Sequence, residues 1–291
     1  MSKIKSLTSL TQIEFDNLYD FFHPLMEQKV LHYTLKGKRR KVPLYKESKL
    51  SSLQGSKSKL KFILTYLKEH PTQIFMAYYY KISQSKVSEW ISFILLVLLD
   101  ALKKIGVAPQ RGSEFSIPND LEYILCDVTE REVNRSTDYQ VQKEEYSGKK
   151  KTHTVKNLAF SDGKGYIHYL GVTYEGSVHD KTLWDQIKIK NQEINILVDL
   201  GFLGVEHDYE NVIIPYKKPK NKELKELQKQ INKGIASTRV KIEHAFAGIK
   251  RLKIVKQKIN LKGDDIRDRL MSIATALHNL RVQFRQLRNK P

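Results

Sequence analysis

LEYILCDVTE, residues Leu121–Glu130, sets a run of apolar strand formers against an aspartate at its end. Strand alternation sends Tyr123 and Leu125 to one face and Ile124 and Cys126 to the other. Both faces are apolar, so the strand belongs inside a sheet covered on both sides. A carboxylate at the end of such a strand needs a partner, because an unpaired buried charge is costly or titrates to its neutral form. The same grammar recurs at Ile194–Asp199 (INILVD), which runs into the turn-like Gly201-Phe202-Leu203-Gly204. Two core strands that each deliver an aspartate into one region look like two ligands of a metal site.

The segments around these strands predict an α/β domain. Further strands are expected at Thr152–Phe160 and Tyr166–Tyr174, joined as a hairpin by Ser161–Gly165, and at Asn211–Pro215. A helix is expected over Lys181–Lys190, and Lys222–Arg288 reads as helical apart from a break around Asn260–Asp264. Together these give a mixed sheet flanked by helices. Gly106–Ser116 (GVAPQRGSEFS) has the Pro, Gly and lack of periodicity of a linker. The expected division is a helical domain over residues 1–110 and an α/β domain over 117–291.

Upstream of the linker the pattern is all helical. Phe15, Leu18, Phe21, Phe22 and Leu25 form an apolar stripe, and Leu60, Ile63, Leu64 and Leu67 form another, ended by His70-Pro71. A short helix, Thr72–Tyr80, is followed by the tight connection Lys81-Ile82-Ser83, with Ser83 placed to cap a long third helix from Gln84. Short helix, brief turn and longer helix with a polar first turn is helix-turn-helix grammar, expected over about residues 57–104. In that reading Gln84, Ser85, Lys86 and Glu89 stand where a recognition helix enters the major groove. The run ISFILLVLL in the third helix is apolar around most of its circumference, as for burial against the next domain or another subunit, and the ordinary reading, core, is the one expected.

The chain of 291 residues carries a net charge of +19, which points to a polyanionic partner. A lysine-biased genome would scatter that charge evenly, whereas here it clusters. Lys36–Lys61 holds ten Lys or Arg against the single acid Glu47, as either a solvated loop or an arm that tracks phosphates. A lone cysteine, Cys126, excludes a disulfide framework. The amino terminus has no apolar signal segment, and the run Trp90–Leu99 is too short to span a bilayer, so a cytoplasmic location is expected.

The helix around Ser237 supplies a third carboxylate. Arg239, Glu243 and Lys250 are four and seven residues apart and share one face, beside the apolar stripe Ile242, Phe246 and Ile249. Taken alone, Glu243 reads as a surface ion-pair partner. His179-Asp180 reads as a hydrogen-bonded turn, with Asp180 capping the helix expected at Lys181.

Asp127 at a first strand, Asp199 at a fourth and Glu243 on a later helix resemble the DDE superfamily of transposases, in particular bacterial insertion-sequence enzymes related to Harbinger elements. YSGKKKTHTVKN (Tyr146–Asn157), GSVHDKTLW (Gly176–Trp184), VDLGFLG (Val198–Gly204) and ASTRVKIEHAFAGIK (Ala236–Lys250) carry the likeness, which covers nearly the whole chain. The last holds the Arg-x3-Glu-x6-Lys spacing; Ala236 stands where some relatives have Tyr, and Asp127-Val128-Thr129 keeps only the Thr of the usual surroundings. The resemblance implies a ribonuclease-H-like catalytic domain behind a helix-turn-helix, and DNA cleavage and strand transfer by Asp127, Asp199 and Glu243 holding two Mg²⁺ or Mn²⁺ ions. It further implies double-stranded DNA as partner, namely element ends and target. Contacts to it are expected from Gln84, Ser85, Lys86, Lys149, Lys150, Lys151, His153, Arg239 and Lys250, with Lys217, Lys218 and Lys220 flanking the cleft. A homodimer or higher oligomer on DNA, in the nucleoid of a bacterial host, completes the expectation. A metal-dependent endonuclease that cuts without joining, and a domesticated DNA-binding protein with an idle core, are the alternatives.

Overall fold

The computed structural model describes residues 3–47, 53–190, 193–258 and 264–288. Five helices come first: α1 (Lys3–Thr8), α2 (Gln12–His32), α3 (Gly55–Glu69), α4 (Gln73–Tyr80) and α5 (Gln84–Ile105). Thr11 and Glu14 cap α2 reciprocally, each side chain bonding the other's backbone N–H. Phe15, Leu18 and Phe22 of α2 are buried with Phe62, Ile63 and Leu64 of α3 and with Ile94, Leu95 and Leu98 of α5. Burying each such side chain contributes about 1.5–3 kcal/mol. The apolar run of α5 is core of its own helical unit, where α2, α3 and α4 all pack on α5. Thr72 and Ser83 cap α4 and α5, and Lys81 between them adopts the left-handed conformation that makes the turn tight.

The second part of the chain builds the sheet. In order come β1 (Glu114–Ser116), β2 (Tyr123–Glu132), α6 (Tyr139–Glu145), β3 (Tyr146–Ser147), β4 (Thr152–Ser161), β5 (Ile167–Leu170), β6 (Tyr174–Glu175), α7 (Asp180–Trp184), β7 (Lys188–Lys190), β8 (Asn195–Leu197), β9 (Val212–Ile213) and α8 (Glu226–Ile249). The main sheet runs β3-β4-β2-β8-β9, with β5 and β6 also on β4. β2 is antiparallel to β4 and parallel to β8, β8 is parallel to β9, and β4 is antiparallel to β5. Three antiparallel strands followed by two parallel ones around a central first strand is the ribonuclease-H-like order. Ile124 and Cys126 face a core of Phe160, Trp184, Ile196 and Phe202. The opposite face of β2 lies under α8, where Lys241 Nζ donates to Tyr123 Oη at 2.6 Å.

A short helix, α9 (Lys253–Lys256), and a long one, α10 (Asp264–Arg288), follow. The compact units are Met1–Ala108 with Lys250–Lys256 and Arg269–Pro291, and Pro109–Ile249 with Gln257–Asp268. The break at Ala108 falls in the expected linker. The carboxy-terminal helix from Arg269 groups with the amino-terminal unit, however, a division that the 1–110 and 117–291 expectation did not contain.

Other boundaries moved as well. The helix expected over Lys181–Lys190 stops at Trp184, because Ile187 and Ile189 alternate and Lys188–Lys190 instead pairs in parallel with Glu114–Ser116. The strand expected over Tyr166–Tyr174 is split into β5 and β6, Asn211–Pro215 shortens to Val212–Ile213, and α8 begins at Glu226, well before Ser237. The expected break at Asn260–Asp264, except Asp264 itself, which begins α10, and part of the basic stretch Lys36–Lys61 lie outside the described residues.

A buried polar network pins the first turn of α10 to the sheet. Arg131, almost fully buried, donates to Asn157 Oδ1 at 2.9 Å and to the Arg267 carbonyl at 3.2 Å, and Asp268 accepts from the Thr173 N–H at 2.9 Å and from Arg111 at 2.5 Å. Truncating a buried cation leaves its acceptors unpaired, so Arg131→Ala should lower unfolding free energy by about 3 kcal/mol. Urea denaturation followed by circular dichroism measures this; a change within experimental error would mean the network contributes little.

Candidate active site

Register explains how two aspartates meet. Leu125 of β2 pairs with Leu197 of β8 in parallel, so Asp127 and Asp199, each two residues further on, stand side by side. Asp127 is not at the end of its strand, as expected, but in the middle of β2, paired with Ala159 of β4. Asp199 is not the last residue of its strand, as expected, but lies two residues beyond β8. There its carboxylate accepts the Gly201 N–H at 2.8 Å and caps the 3-10 turn Leu200–Phe202.

Arg239 comes down from α8 between them. Its Nη2 lies 3.4 Å from Asp127 Oδ2 and 4.0 Å from Asp199 Oδ2, with the side chains only 13%, 19% and 30% exposed in that order. This is a different position from the DNA contact expected of Arg239, and strand and helix periodicity explain it. Asp127 is on the same face of β2 as Tyr123 and Leu125, the face that α8 covers.

Asp180, expected as a helix cap and otherwise as the rival to Asp199 for second ligand, joins the cluster. His179 occupies the N-cap of α7 without a side-chain cap bond, so Asp180 does not cap that helix. Its carboxylate instead takes Lys156 Nζ at 3.2 Å, and the same ammonium donates to the Val178 carbonyl at 2.7 Å. A Cβ on Gly201 would stand 2.9 Å from both Asp180 Oδ2 and Asp199 Oδ1, so the two carboxylates converge on the one residue that leaves room for them. Lys156 was hidden in the basic motif KKKTHTVKN; its place inside the strand expected over Thr152–Phe160 was the signal that set it apart from the exposed Lys149, Lys150 and Lys151, which precede that strand.

Burial is the first cause that pushes the Asp127 carboxyl up to about 6, and Asp199 and Asp180 add to it; Arg239 and the Val128 N–H pull the other way. The donor chemistry of the aspartates, hard carboxylate oxygens converging on a guanidinium, fits a divalent cation of the Mg²⁺ class. Glu243 is on α8 one turn beyond Arg239, with its side chain exposed. Among the described residues no group of three His, Cys, Asp or Glu side chains is gathered to hold a metal ion.

The remaining expected residues occupy three places. Lys149, Lys150 and Lys151 form the exposed turn between β3 and β4, with His153 edge-on to Tyr146 at its base. Lys217, Lys218 and Lys220 are exposed beyond β9. Gln84, Ser85 and Lys86 are exposed on the first turn of α5, where Lys86 pairs with Glu89 at 2.7 Å. Lys250 falls in the helical unit rather than with Arg239 and Glu243.

A family model described as DDE superfamily endonuclease matches residues 126–279, more than half of the chain. The chain belongs to the DDE superfamily endonucleases. A second model, the helix-turn-helix of DDE superfamily endonuclease, matches residues 51–104, which span α3, α4 and α5. A probable transposase for insertion sequence element IS702 from Microchaete diplosiphon is 28% identical over 194 residues, covering 66% of this chain and 67% of that protein. No solved structure matches. Among the described residues, no helix of this DDE endonuclease is long and apolar enough to cross a membrane.

The carboxyl shift has a testable sign. With its pKa raised to about 6, Asp127 stays protonated in the folded chain at pH values where the unfolded chain has already lost the proton. Its ionisation therefore costs stability as pH climbs from about 4 to 6, on the order of 2–3 kcal/mol above that window. Without added metal, Asp127→Asn should melt several degrees above the unaltered chain at pH 8 and level with it at pH 4. Equal melting temperatures at both pH values would show that burial does not strain this carboxylate.

Proposed function

We propose that this DDE endonuclease is the transposase of an insertion sequence, cutting at the element ends and joining the freed 3′-hydroxyl to target DNA. The carrying observation is the pair Asp127 and Asp199, delivered side by side by parallel strands and converging on Arg239. Asp127 and Asp199 are the side chains that would hold the divalent metal, with Glu243 as third carboxylate. Bound there, Mg²⁺ or Mn²⁺, two ions on this reading, supplies activation of the attacking oxygen and charge stabilisation at the leaving one.

The protein's own share is positioning and charge. Arg239 holds the two carboxylates in place and offsets their repulsion in the resting chain. Lys156 fixes Asp180, and through Gly201 the Asp199 turn, so that the second aspartate has one direction available. The exposed Lys149–Lys151 turn and the first turn of α5 are surfaces for phosphate and base contacts, respectively. Double-stranded DNA is accordingly the partner, with element ends read by the helix-turn-helix and the chain acting as a homodimer or larger assembly on them. A nucleoid location in a bacterial host follows from this reading.

With Mg²⁺ or Mn²⁺ and a duplex carrying the element end, Asp127→Asn and Asp199→Asn should each abolish cleavage and joining while leaving duplex affinity in EDTA unchanged. Asp180→Ala should retain measurable cleavage but melt lower, because Lys156 loses its carboxylate. A gel assay of end cutting and strand transfer, paired with thermal melts, reads all three. Full joining in EDTA would overturn the proposal, and an active Asp199→Ala beside a folded, dead Asp180→Ala would transfer the second ligand role to Asp180.

A further inference from the structure

The hairpin that follows α2 carries an inference that rests on the DNA-binding reading and goes beyond it. Tyr33 and Arg39 form an antiparallel bridge, the Thr34 N–H bonds the Lys38 carbonyl at 2.9 Å, and the Gly37 N–H bonds the Thr34 carbonyl at 2.9 Å. Gly37 has φ of 78°, the left-handed conformation the turn requires. Arg40 locks the base, its Nε donating to the Val30 carbonyl at 3.2 Å and the Tyr33 carbonyl at 3.3 Å. A merely solvated basic loop has no need of these bonds. Lys36, Lys38, Arg39 and Lys41 are all exposed, and no acid occurs between His32 and Lys46.

The hairpin also has a defined neighbour. Lys36 and Gly37 at its tip line an open groove together with Gln73 at the start of α4 and Gln84, Ser85 and Glu89 near the start of α5; the Glu89 carboxylate there is paired with Lys86 at 2.7 Å. The starts of α4 and α5 are the helix ends that a helix-turn-helix turns towards a duplex. The hairpin lies outside residues 51–104, the extent of the helix-turn-helix match. We infer that Tyr33–Arg40 is a basic wing that holds the DNA backbone beside the groove read by α5, through Lys36, Lys38 and Arg39. The wing recognises phosphates rather than bases, since lysine and arginine on a hairpin reach the backbone without a fixed edge to read.

The test uses the full chain in EDTA, with two labelled duplexes of equal length. One carries the inverted repeat flanking the gene and the other a scrambled sequence. Fluorescence anisotropy across a salt series compares the unaltered chain with a Lys36→Gln, Lys38→Gln, Arg39→Gln variant. Each lost phosphate contact lowers the slope of log affinity against log salt by about 0.9, so the slope should fall by about two to three. Both duplexes should weaken by the same factor, whereas Gln84→Ala should erode only the preference between them. A second readout is independent of stability. Cys126 is fully buried, so a thiol introduced by Lys36→Cys is the one accessible cysteine and can carry a photo-crosslinker. It should crosslink to the repeat duplex. An unchanged slope in a folded triple variant, or binding without a crosslink from position 36, overturns the wing while leaving the transposase reading intact. No binding of either duplex by the unaltered chain overturns both.

Discussion

The guanidinium of Arg239 between Asp127 and Asp199 is the contact on which the catalytic half depends. Parallel pairing at Leu125 and Leu197 delivers two carboxylates to one place, and Asp180 adds a third from α7. Burial strips the Asp127 carboxylate of hydration, and repulsion from Asp199 and Asp180 adds to it, which is why this carboxyl is pushed up. Arg239 and Lys156 are the two cations that make the arrangement tolerable in the resting chain. Both are held by regular structure, α8 and β4, so the charge balance is built into the packing rather than left to solvent.

That balance explains why α8 is long and why it lies over β2. Ile235, Ile242, Phe246 and Ile249 are buried along one side of the helix and anchor it, leaving Arg239 at the edge of the apolar stripe. A guanidinium suits this place because it stays charged when partly desolvated and presents several donors from one plane. Glu243 shares the helix face but stays exposed, which leaves it available to a ligand that approaches from solvent.

Much of this was legible in the sequence, and the gaps have physical causes. The two aspartates could be found because two-sided apolar runs identify central strands, and a charge that interrupts or follows such a run stands out, although Asp127 lies within β2 and Asp199 beyond β8 rather than at a strand end. The helix-turn-helix could be found because Ser83 is both a cap and a boundary, and the structure shows its hydroxyl accepting the Lys86 N–H at 3.3 Å. Asp180 was misjudged because a helix-start aspartate is usually a cap, and only the tertiary position of Lys156 decides otherwise. Lys188–Lys190 was read as helix because a three-residue strand is too short to show its period; its partner Glu114–Ser116 is distant in sequence. The grouping of the carboxy-terminal helix with the amino-terminal unit was not legible for a related reason. Amphipathic periodicity reveals that Leu270, Ile273, Leu277 and Leu280 are buried, but not against what.

An acidic cluster on a protein of net charge +19 raises the question of how DNA approaches it. Carboxylates repel phosphate, so affinity has to come from elsewhere on the surface. On the proposed reading it comes from exposed lysines: Lys149–Lys151 at a hairpin tip, Lys217, Lys218 and Lys220 beyond β9, and the cations of the Tyr33–Arg40 hairpin. Fields of this kind raise association rates and local concentration without ordering the reacting atoms. The ordering is left to the few buried charges, Arg239 and Lys156, whose positions salt screens least. Binding and positioning thus fall to two different populations of basic residue, exposed and buried. A change in ionic strength should act on the first and leave the second almost untouched.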